Sequence, residues 1–599
     1  MVAFTNSYCR IVRLNNDHPI VTFLFAAFFY NFIKSLAPYI QAKILYFSAM
    51  NMRIPFSKII GYTLLALGLT GPLYAQNVPK NWQLLDPTTD HVLGISLQKA
   101  YDYLSSKNKK ASPIVVAVID SGIDTTHEDL KNILWTNAKE IAGNGIDDDK
   151  NGYIDDVHGW NFLGGKNGES VKRAPDERSR IYHKYKAKFA STTLDTSALS
   201  SADKALYAIW KKTDAELNFS DEEKEQLKYV EMLSNAFKKH DKILRQEMNM
   251  ASYNKETLTA FIPSSVLGKE AKLGMLSLQR IMQLDKEESN TFTIAQLEEY
   301  IEGKTVAFSS KEKLPNDERT LIVRDNYYNF SDAFYGNNDI MGPTPKHGTH
   351  VSGIIAASRN NGVGIDGVSD AVKIMMIRVV PDGDEYDKDV ALAIKYAVDN
   401  GAKIINMSFG KAYSPEKYWV DSAVRYAEQK DVLLVHSAGN ESYNLDSTNV
   451  FPNAYLAVWK QNASNFITIG ASSDTLITDN SIAAEFSNYG KQNVDLFAPG
   501  VKIYSTLPGT NVYGNQDGTS MASPIVTGVA ALLRTYYPSL TAKQVKTILE
   551  KSVYVPATTT PCLLPGNSSI ATPFSTLSKT GGIVNAYNAV MLANGMGNK

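Results

Sequence analysis

Six consecutive apolar residues, Ile114-Val115-Val116-Ala117-Val118-Ile119, run without a polar break into Asp120. A strand wet on one face alternates apolar and polar residues. An unbroken β-branched run instead marks a strand buried on both faces, as in a parallel sheet covered by helices. Similar runs recur at 372–380, 402–410, 432–440 and 466–473, and helical patterns at 387–401 and 416–431 separate the later ones. Strands alternating with helices of this length form βαβ units. The chain is therefore predicted to be α/β: a three-layer sandwich around a central, mostly parallel β-sheet. In such sheets functional residues collect outside the carboxyl ends of the strands.

Between 166 and 340 this rhythm stops. The segment is rich in Lys and Glu and reads as helices; Ser220 and Glu223 have the spacing of a capping box. Leu227, Val230, Leu233, Phe237 and Leu244 then fall near one helix face. We read 166–340 as a large helical insertion, 76–165 and 341–593 as the two parts of the domain it interrupts, and 594–599 as a short tail.

The first 75 residues read as processing rather than fold. From Met52 the chain places Arg53 and Lys58 before an apolar stretch, then small and turn residues up to Ala75. That is the layout of a secretory signal peptide. The expected start is Met50 or Met52, with 1–49 an upstream extension. The protein is then exported, periplasmic or extracellular, with no stable membrane span in the mature form; an N-terminal membrane anchor is the alternative. Lys and Arg total 61 against 62 Asp and Glu, so no basic excess points to nucleic acid. Two cysteines, Cys9 and Cys562, cannot build a disulfide framework.

Candidate chemistry sits at strand ends and helix starts. Asp120 closes the first buried run, His347 lies in "KHGTHVSG", and Ser520 opens the helical "GTSMASP". A serine hydroxyl needs a neighbouring base, and an imidazole suits that role near neutral pH. The imidazole in turn needs a carboxylate on its other nitrogen. Asn440, in "HSAGNE", follows another buried run, and its amide can donate to a developing oxyanion beside the Ser520 N–H. Pro524 is expected in the first helical turn, where N–H groups lack intrahelical partners. Alone, each is an ordinary turn or cap residue. Together they form an ordered set.

The stretches "VIDSGID", "HGTHVSG", "AGN" and "GTSMASP" resemble the motifs of the subtilases, the subtilisin-like serine proteases. The resemblance covers roughly 82–165 and 340–593. It implies Asp120 as the orienting carboxylate, His347 as general base and acid, Ser520 as nucleophile and Asn440 as oxyanion donor. It further implies that Ser408, Phe409 and Gly410 pair with an extended peptide, with Phe409, Ala438 and Gly439 lining the pocket for the side chain before the scissile bond. The implied partners are protein or peptide substrates, and the implied activity is endopeptidase. The Asp-to-His interval of 227 residues far exceeds that of compact subtilisins. The insertion should therefore emerge at the active-site rim.

A second signal is the acidic loop 144–156. Asp147, Asp149, Asn151 and Gly152 fit D-x-D-x-N-G, the opening of a calcium loop, with Asp155 or Asp156 to complete the shell. Structural Ca²⁺ is the expected cofactor. Family analogy alone adds a second site at Asp129 and Asn361.

Overall fold

The computed structural model of the protein describes residues 79–596, apart from 283, 285, 287, 479 and 480. The signal-peptide and start-site readings lie outside the described residues. Among those described, no helix is long and apolar enough to cross a membrane.

Seven parallel strands form the central sheet in the order β2-β3-β1-β4-β5-β6-β7. They are β1 (Ile114–Asp120), β2 (Gly159–Asn161), β3 (Val372–Arg378), β4 (Ile404–Met407), β5 (Leu433–Ser437), β6 (Phe466–Ser472) and β7 (Leu496–Pro499). Alternation along β1 sends Val116 and Val118 to one core and Ala117 and Ile119 to the other. Helices Lys346–Ala356 and Thr519–Tyr536 pack on the first face, and Asp387–Asp399 and Lys417–Gln429 on the second. This is the α/β sandwich expected from the runs. The two edge strands carried no such signal: β2 has three residues and β7 ends in Pro499.

The insertion is helical and has its own small cores. Phe237, Leu244, Met275 and Leu278 form one, and Tyr182, Phe189, Trp210 and Leu217 another. Ser220 and Glu223 make the capping box, opening the helix Asp221–Met248.

Buried ion pairs tie both ends of the insertion to the helix Asp387–Asp399. Near its start, Lys411 Nζ reaches Glu177 at 2.8 Å and Asp387 at 2.9 Å. Near its end, Arg319 pairs with Asp389 and with Asp325, the latter at 3.0 Å, and Lys388 holds Asp325 at 2.6 Å. The insertion is thus anchored to the α/β domain at both ends.

Candidate active site

The last residue of β1 and the second residues of two helices lie at one end of the sheet. Asp120 ends β1, His347 follows Lys346 at the start of its helix, and Ser520 follows Thr519. His347 Nδ1 donates to Asp120 Oδ1 at 2.7 Å, and Asp120 Oδ1 also accepts the Ser121 N–H. This fixes the imidazole tautomer and leaves Nε2 for another partner. Burial opposes protonation of His347, but the Asp120 carboxylate outweighs it and raises the pKa above the ordinary 6.5. Gly348 permits the approach: a Cβ there would lie 2.2 Å from the Gly122 carbonyl.

Ser520 is half-buried, behind Gly518, whose φ of 152° suits glycine. Its Oγ donates to the Ser408 carbonyl at 3.1 Å, and the Ser408 hydroxyl donates to the Ser520 carbonyl at 3.0 Å. Pro524 explains the second bond. It lies beyond the first turn expected from the sequence, because the helix begins at Thr519. A residue with an N–H there would bond the Ser520 carbonyl; Pro524 cannot, so Ser408 does. Beneath them, buried Asn406 donates to Ser408 Oγ at 2.9 Å and accepts from Ser523 and Thr527. Asn406 was missed, although a polar residue inside an apolar run was its signal.

Asn440 is exposed, and its Oδ1 accepts from both the Thr519 N–H and hydroxyl at 2.9 Å. Its Nδ2 lies near Gly518 and has no hydrogen-bond partner among the described residues. The start of the Ser520 helix adds positive potential at the same place.

A cleft of about 750 Å³ runs past Ser520, lined by Phe409, Gly410, Gly439 and Asn440. Ser408 is buried next to Ser520. Ala438, expected on the wall, is instead fully buried behind it. Extended-chain alternation turns Ser437 and Gly439 to the cleft in its place. The insertion supplies Asp176, Arg178, Lys212, Glu216 and Phe219 to this cleft, and Val306 and Ala307 to a second cavity beside His347. It does stand at the rim.

In the acidic loop, Glu140, Asp147 and Asp149 each bring a carboxylate oxygen within 4.8 Å of the others. Gly152 makes the bend at φ 97°. Asp155 turns away, with its oxygens on the Gly143 and Gly145 amides at 2.8 Å. Asp156 is buried and accepts from Asn137, Asn151 and Tyr396. Burial pushes its carboxyl up, against those bonds. Glu140, before the quoted loop, takes the corner expected of Asp155 or Asp156. At the second site, Asn361 turns its amide nitrogen to Asp129 Oδ1 at 2.5 Å, and Tyr513 donates to Asp129 Oδ2 at 2.9 Å. Asp129 is thus satisfied by protein donors.

The subtilase family model matches residues 111–561. The chain belongs to the subtilase family. Over 207 residues this subtilase is 41% identical to the thermophilic serine proteinase of Bacillus sp. (strain AK1), covering 34% of this chain and 46% of that one. Over 188 residues it is 42% identical to thermitase of Thermoactinomyces vulgaris, covering 31% and 60%. The chain thus spans about half the length of these curated relatives. Among solved structures, proteases from Pseudoalteromonas arctica align over 86% of this chain and 99% of that one, at 18% identity and a TM-score of 0.42.

Proposed function

We propose that the protein is an exported, calcium-stabilised serine endopeptidase that hydrolyses peptide bonds of proteins through an acyl-enzyme. One observation carries the reading: the 2.7 Å Asp120–His347 bond lies at the sheet end where the Ser520 helix begins. Family membership supports the same chemistry.

An extended substrate adds along Ser408–Gly410, and its N–H competes for the Ser408 carbonyl now held by Ser520 Oγ. Released, Oγ attacks the scissile carbonyl carbon and passes its proton to His347 Nε2. Asp120 stabilises the imidazolium. Asn440 Nδ2 and the Ser520 N–H donate to the oxyanion. Collapse expels the amine, which takes the proton from His347; water then repeats the cycle on the ester. Phe409 and Gly439 line the pocket for the side chain before the scissile bond.

Export rests on the signal-peptide layout at 52–75. Structural Ca²⁺ fits the three hard carboxylates Glu140, Asp147 and Asp149, whose mutual repulsion a divalent cation would neutralise. Bound only by the folded chain, it would stabilise a fold whose one cysteine among the described residues, Cys562, is free.

Mass-spectrometric mapping of products from a denatured protein tests the activity. Internal cleavages that vanish in Ser520→Ala are expected. Absence of cleavage by folded, calcium-loaded protein contradicts the reading.

A further inference from the structure

Where the insertion meets the α/β domain, the cleft has an imbalance of charge the triad does not use. Glu385 lines the cleft, is 2% exposed, and its Oε1 is buried with no hydrogen-bond partner. Asp384, beside it, accepts the Glu177 N–H at 2.7 Å through Oδ2, the one hydrogen bond to its carboxylate among the described residues. The nearby cations hold other partners, although Arg180 Nε and Nη1 are buried without a hydrogen-bond partner. Lys411 Nζ spends its three donors on Glu177, Asp387 and the Glu385 backbone carbonyl. Arg178 pairs with Asp176 at 2.9 Å. Arg180 pairs with Glu177 and the Glu385 carbonyl, and stacks on Tyr386. Five carboxylates here, those of Asp176, Glu177, Asp384, Glu385 and Asp387, face these three cations, while Lys212 on the same cleft pairs with Glu216 at 3.7 Å.

A buried carboxyl without a counter-charge is costly to keep ionised. Burial, with Asp384 adding to it against the pull of Lys411, accordingly pushes Glu385 up to about 8. A cation entering the cleft would relieve both acids at once.

We propose that Asp384 and Glu385 form a subsite for an alkylammonium group of the substrate, walled by Asp176 and Arg178 of the insertion. Asp384 Oδ1 takes the ammonium directly and Glu385 sits behind it. The group is a lysine side chain or the α-ammonium of a peptide N-terminus; both present the same charged donors. The inference rests on the peptidase reading of the same cleft, and it gives the insertion a role in selecting substrates.

The test is binding, which needs no turnover. Alanine octapeptides carrying one lysine or one norleucine at each position, with free or acetylated N-termini, are titrated calorimetrically onto Ser520→Ala protein. A charge-assisted contact predicts about 10-fold tighter binding for the cationic member of a pair. The lysine series and the N-terminus series tell the two sources apart. Adding Glu385→Gln or Asp384→Asn should bring the paired affinities together; Asp384→Asn, at the cleft surface, serves if Glu385→Gln does not fold. Equal affinities in the Ser520→Ala protein, no measurable binding, or a gap that survives both substitutions overturns the subsite. Proteolysis without cation preference removes the subsite and leaves the peptidase reading. Cation-dependent binding without any proteolysis removes the peptidase reading alone.

Discussion

Ser408 and Ser520, 112 residues apart, hold each other through two reciprocal bonds, Ser408 Oγ to the Ser520 carbonyl at 3.0 Å and Ser520 Oγ to the Ser408 carbonyl at 3.1 Å. Pro524 makes the first of these necessary, since no helix N–H reaches that carbonyl. Ser408→Ala should therefore cost about 1 kcal/mol in urea unfolding. Pro524→Ala restores an N–H donor, so the double variant should recover most of that loss. Strictly additive effects of the two substitutions would show that the carbonyl does not depend on Ser408.

The acid limb of activity should report His347. Burial lowers its pKa, but Asp120 outweighs burial and raises it above 6.5. The base form is therefore lost as pH falls through a value above 6.5. Asp120→Asn should shift the acid limb of kcat/KM to lower pH and reduce kcat by ~10⁴-fold. An unchanged limb in the variant would detach His347 from Asp120.

Chelation should lower the melting temperature if Glu140, Asp147 and Asp149 bind calcium. At a hundred times Kd, a ligand bound only by the folded state contributes about 2.7 kcal/mol. Asp147→Asn combined with Asp149→Asn should melt at the same temperature with and without calcium. A chelator response that persists in the double variant places the ion elsewhere.

The buried network at the far end of the insertion can be broken from one side. Arg319 is 3% exposed and pairs with Asp325 and Asp389. Removing it leaves two buried carboxylates short of a cation, so Arg319→Ala should cost roughly 3–5 kcal/mol in equilibrium unfolding. A loss under about 1 kcal/mol, the size of an exposed pair, would mean that the insertion is not anchored there.

What could be read from the sequence follows the range of the forces involved. The unbroken run at 114–119 and the capping box at Ser220 are local signals, and β1 and the helix Asp221–Met248 form where they point. Motif order is equally local, and Asp120 and His347 meet as it implies. Contacts set by tertiary packing left no such trace. Glu140 joins Asp147 and Asp149 because the chain between them turns through Gly143 and Gly145, both at positive φ. Ala438 faces away from the cleft because of a one-residue phase along an extended segment. The bond from Ser408 to the Ser520 carbonyl depends on how far Pro524 lies from the helix start, which apolar patterning does not define.

Labelling with a fluorophosphonate tests the central claim most directly. Folded, calcium-loaded protein should take up one equivalent at Ser520, with no labelling in Ser520→Ala and strongly slowed labelling in His347→Ala, since the base activates the hydroxyl. Folded native protein that stays unlabelled, or labels equally well without His347, would contradict it.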